Sequence, residues 1–164
     1  MSYHDMWERY HEVRKPMLYL DERFRYPSSP SVPTLHFGLG YTIKGILHCA
    51  QKRNLMPPPP PVQPLTKKQE SHRLMNAVFN VFEYLEEKLE TPLFMCASAS
   101  PNYVGVISLY SNHTRDSFYQ PEREREMLNF IRRELNDRKQ QAAWYWDSNR
   151  HGPDYVCEYT EYNL

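Results

Sequence analysis

The sequence predicts an α+β protein, a mainly antiparallel sheet with two amphipathic helices packed on one face. Three observations predict it. Leu74, Val78, Val81, Leu85 and Leu89 recur at helical spacing, and Met75, Phe79 and Phe82 widen the stripe into a long helix that must bury much of its circumference. Two apolar runs, residues 93–98 and 103–110, face each other across Ser100-Pro101-Asn102 as a pair of strands. Leu128, Ile131 and Leu135 then mark a second helix, followed by the aromatic-rich runs 142–147 and 155–162. The order helix–strand–strand–helix–strand–strand is satisfied when one sheet buries a face under both helices.

Taken from the start, residues 2–15 read as a short helix with Ser2 as N-cap and Met6, Tyr10 and Val13 on one side, ended by Pro16. Residues 17–26 resemble two extended pieces around Asp21-Glu22. Pro27, Pro30 and Pro33, interleaved with serines, make an irregular connector. Beyond Thr34, the residues Leu39, Ile43, Ile46, Leu47 and Ala50 suit a helix of about three turns, closed by Lys52 and Arg53 at its negative end. This region completes a helical N-terminal segment, residues 1–56.

Five prolines at 57–61, with Pro64 soon after, adopt polyproline II and form a linker over 57–65. The core domain, 66–164, begins with Thr66 and Gln69 at capping-box spacing, and Thr91-Pro92 stops its first helix. In the run 103–110 both alternating sets are largely apolar, as in an interior strand covered on both faces. Pro121, Glu122 and Glu124 open the second helix, where a fixed φ and negative charge suit a first turn.

Composition narrows the function classes. At 164 residues the chain can bury a real core, and 40% hydrophobic content is too rich for a disordered polypeptide. Twenty basic residues balance twenty acidic ones, which argues against bulk nucleic acid or an anionic membrane as partner. Cys49, Cys96 and Cys157 are widely spaced, without CxxC or a paired Cys/His cluster. Neither a signal peptide nor a bilayer-length apolar run is present, so the expectation is a soluble intracellular protein, cytoplasmic or nuclear, that needs no cofactor.

The thirteen tyrosines suit a half-wet binding face or the outer face of a sheet. Gly38, Gly40 and Gly45 match neither glycine-rich phosphate fingerprint. Cys49 and Cys96 read as small buried hydrophobes, and a grouping of Cys157, His151 and Asp154 is too local for a catalytic set. With no convincing catalytic constellation, the expected function is a non-catalytic protein–protein interaction or assembly module that self-associates. Its aromatic anchors would be Phe79, Phe82, Trp144, Trp146 and Tyr159. The proline stretch from Pro57 to Pro64 is a candidate ligand for a proline-binding module, or a stiff spacer. Two alternatives belong to other classes. A small metal-dependent hydrolase or nuclease-like enzyme would assemble His113, Asp116, His151 and Asp154 from two loops. A single-strand nucleic-acid binder would use Arg123, Arg125, Arg132 and Arg133 beside stackable aromatics, although glutamates are interleaved among them.

Overall fold

The computed structural model describes residues 16–25, 34–61, 64–97, 100 and 102–147; the expected elements at 2–15, at the Pro27–Pro33 connector and at 155–162 lie outside them. The elements run α1 (Glu22–Arg25), β1 (Leu35–Tyr41), α2 (Ile43–Lys52), α3 (Lys67–Leu89), β2 (Phe94–Cys96), β3 (Gly105–Ser111), α4 (Arg115–Phe118), α5 (Pro121–Glu134) and β4 (Ala143–Trp146). The four strands form one antiparallel sheet in the order β2-β3-β1-β4, and the fold is α+β.

Alternation decides what each face of the sheet carries. Leu35, Leu39 and Tyr41 of β1, Ile107 and Leu109 of β3, and Trp144 and Trp146 of β4 join one core with Ile46, Cys49, Val81, Leu85 and Ile131 from the three long helices. The opposite face carries a smaller cluster of Cys96, Val106, Ala143 and Tyr145, with Phe94 and Tyr103 packed on it. All seven residues of β3 are buried, as its doubly apolar pattern requires.

The region after Thr34 corrects the sequence expectation of a helix including Leu39. Leu39 lies in β1, paired with Ile107, and the helix begins only at Ile43, where the Thr42 hydroxyl accepts from the Gly45 amide at 3.1 Å. Residues Leu39, Ile43 and Ile46 fit a helical period, but Leu35, Leu39 and Tyr41 also fit a strand, and pairing with two neighbours decides for the strand. β1 is central, hydrogen-bonded to β3 on one side and β4 on the other. Residues 17–26 are corrected too. Met17 forms an isolated bridge to Trp144, and Glu22–Arg25 is one helical turn whose Phe24 packs edge-on against Trp146 at 5.5 Å.

In α3 the capping box forms: Gln69 N donates to Thr66 Oγ1 at 3.3 Å, and Thr66 N donates to Gln69 Oε1 at 2.9 Å. Glu90 ends the helix in the left-handed region at φ 48°. The proline tract returns along this helix. Asn80 Nδ2 donates to the Leu55 carbonyl at 2.9 Å and Arg73 Nη2 to the Pro57 carbonyl at 3.2 Å. No helix among the described residues is long and apolar enough to cross a membrane.

Candidate functional site

On the side of α3 that carries Phe79 the exposed residues run from basic to acidic, whereas the exposed Glu70 and Lys88 fall on the other side. Lys68 and His72 in the first half of the helix, Met75, Asn76 and Phe79 in the middle, and Glu83, Glu87 and Glu90 at the end are all exposed and fall on one side of a 3.6-residue period. Met75 and Phe79 are 51% and 50% exposed, one turn apart. Beside this face a groove of about 320 Å³ runs between α3 and the proline tract, lined by Pro57, Pro58, Pro60, Lys68, His72 and Arg73. The Arg73–Pro57 hydrogen bond fixes its wall, while the buried Arg73 Nε has no hydrogen-bond partner among the described residues.

The other chemically notable group lies on the second face of the sheet. His36 Nε2 is 2.8 Å from Asp147 Oδ2, linking β1 to the residue that follows β4. Burial opposes charge on this imidazole, but Cys96 and the Asp147 carboxylate outweigh it, raising its pKa to about 10. A thiol, an imidazole and a carboxylate are the parts of a thiol hydrolase. Here Cys96, His36 and Asp147 are only 1%, 1% and 3% exposed, so the group is closed off from solvent. No sequence pattern marks this pair, whose members lie 111 residues apart.

A second buried carboxylate, Glu134, takes a two-pronged contact from Arg53, with Nε at 2.7 Å and Nη2 at 2.8 Å. That hydrogen-bonded guanidinium holds the Glu134 carboxyl below the usual carboxylate range. The pair ties the end of α2 to the end of α5. Likewise Tyr110 Oη donates to Glu124 at 2.5 Å and ties β3 to α5.

Among the expected anchors, Phe79 is exposed, whereas Phe82, Trp144 and Trp146 are 5%, 5% and 2% exposed and pack inside the fold. Phe82 meets Tyr41 edge-on at 5.8 Å, and Trp144 lies 5.2 Å from Phe37 and 5.7 Å from Tyr110. Tyr159 lies outside the described residues. Of the arginines on α5, Arg125 is exposed and three are engaged within the chain. Arg123 donates to the Leu89 carbonyl, Arg132 to the Gln140 carbonyl at 2.7 Å, and Arg133 lies 5.3 Å over the Phe130 ring. His113 is half-buried after β3, Asp116 is exposed on α4, and His151 and Asp154 lie outside the described residues. Among the described residues, no three His, Cys, Asp or Glu side chains stand where they could hold one metal ion.

No protein-family model, curated protein or solved structure matches the chain.

Proposed function

We propose that this chain is a non-catalytic protein–protein interaction module that presents the middle of α3 to its partner. The observation that carries this reading is the half-exposed pair Met75 and Phe79 at the centre of a 23-residue helix. Large apolar side chains clustered on a surface favour being covered, and aromatic and methionine side chains are enriched where proteins meet. Polar and charged residues surround the pair, as the rim of a contact does. The proline tract lies along one border of this surface, its Pro57 carbonyl accepting from Arg73 of α3.

The test is the native size of the chain in an extract of the cells that make it, compared between wild type and Phe79→Glu. The wild type is expected to elute well above monomer size, and the variant at monomer size with an unchanged melting curve. A wild-type chain that elutes as a monomer, or a variant that elutes with the wild type, would remove α3 as the contact surface.

A further inference from the structure

The exposed face of α3 is self-complementary, and we infer that the partner it fits is a second copy of this chain, packed antiparallel with Phe79 at the two-fold axis. The inference rests on the reading of α3 as a contact surface and adds what covers it.

Positions about Phe79 carry the argument. Lys68 lies eleven residues before Phe79 and Glu90 eleven after it; Met75 lies four before and Glu83 four after. All five are exposed; Lys68, Met75, Phe79 and Glu83 share one side of the helix, and Glu90 is its C-cap, one residue beyond the last turn. A two-fold axis through Phe79 therefore sets Lys68 of each copy opposite Glu90 of the other, stacks each Met75 on the stem of the opposite Glu83, and brings the two Phe79 rings together. The contact is isologous, as a closed dimer demands. A parallel arrangement would instead set Glu83, Glu87 and Glu90 against their own counterparts, and like charges facing each other disfavour it. The segregation of charge along one helix face thus selects both the partner and its direction. Among the neighbouring cations, Arg73 is held by the Pro57 carbonyl and Arg123 by the Leu89 carbonyl, while the exposed Lys67 and Lys88 fall on the other side of the helical period.

Sedimentation equilibrium of the purified full chain across a dilution series tests this, with Lys68→Glu, Glu90→Lys and the double variant beside wild type. The wild type is expected to be a dimer that dissociates on dilution. Each single variant places two like-charge pairs in the contact and should weaken the dimer roughly tenfold. The double variant restores opposite charges with the sense reversed and should return to within about threefold of wild type. A dimer in which the double variant is no better than the singles would overturn the antiparallel pairing. A purified monomer at every concentration, with the extract still showing a large species lost on Phe79→Glu, would overturn the second copy while leaving α3 as a contact surface for another protein. A monomer in both settings would remove both.

Discussion

Gly40→Ala tests the packing on the second face of the sheet. Gly40 pairs with Val106 in the centre of the sheet, and its amide donates to Tyr145 Oη at 3.3 Å. A methyl group there would lie 2.3 Å from Tyr103 Cγ and 2.4 and 2.7 Å from its two Cδ atoms. These atoms sit at the root of the ring, so the side chain cannot yield by moving its tip. The whole ring must withdraw by more than an ångström. That withdrawal breaks the edge-to-face contact with Tyr145, now at 6.0 Å between centroids. The lost aromatic contact is worth about 1 kcal/mol, and re-exposing part of a half-buried ring adds about 1 kcal/mol more, so Gly40→Ala should cost about 2 kcal/mol. Urea denaturation with Gly40→Ala, Tyr103→Ala and the double variant measures it. Because the alanine methyl has nothing to strike once Tyr103 is truncated, the double variant should be about 2 kcal/mol more stable than the sum of the singles predicts. Costs that simply add would refute the reasoning, since the methyl would then be strained against something other than Tyr103.

Two further predictions follow from burial and charge. Phe82→Ala should cost about 3–4 kcal/mol, through loss of the ring and the cavity left beside Tyr41, whereas Phe79→Ala should cost less than about 1 kcal/mol; thermal melts of the two variants compare them directly. The His36 pKa is raised from an ordinary 6.5 to about 10, so its contribution is fully present below about pH 6.5 and is lost as pH rises toward 10. Urea midpoints should accordingly fall between about pH 6.5 and about pH 9, and His36→Gln should flatten that fall. Burial pushes the Cys49 thiol from 9.0 up to about 11, which adds a loss of the same sign only above about pH 9 and separates the two groups.

What could be read from the sequence was local. Thr66 and Gln69 are three residues apart, so the cap of α3 is visible as a pattern, and the doubly apolar run of β3 announces an interior strand. The strand at Leu35–Tyr41 was not legible, because Leu39 satisfies both the strand period and the helical period of the residues after it. Only its pairing partners, from about 65 to about 110 residues downstream, settle the choice. The His36–Asp147 contact was hidden for the same reason. On α3 the apolar stripe was legible but its edge was not. Met75 and Phe79 are as hydrophobic as their buried neighbours, yet they stand half-exposed at the edge of the stripe. Trp144 and Trp146 read as interface anchors, yet strand alternation sends both into the helix-covered core and Tyr145, between them, onto the other face.

The central position of β1 also bears on how the protein is made. During synthesis this strand leaves the ribosome about 100 residues ahead of β4, one of the two strands that flank it, which begins only at Ala143. At ribosomal speeds of roughly 5–20 residues per second, the nascent chain carries an apolar strand with an unsatisfied edge for about 5–20 seconds. Until β4 arrives, that edge is a template for pairing with other chains. Folding yield in the cell should therefore depend on the chaperones that meet the growing polypeptide, and a slower translation rate over α2 and α3 would lengthen the vulnerable interval.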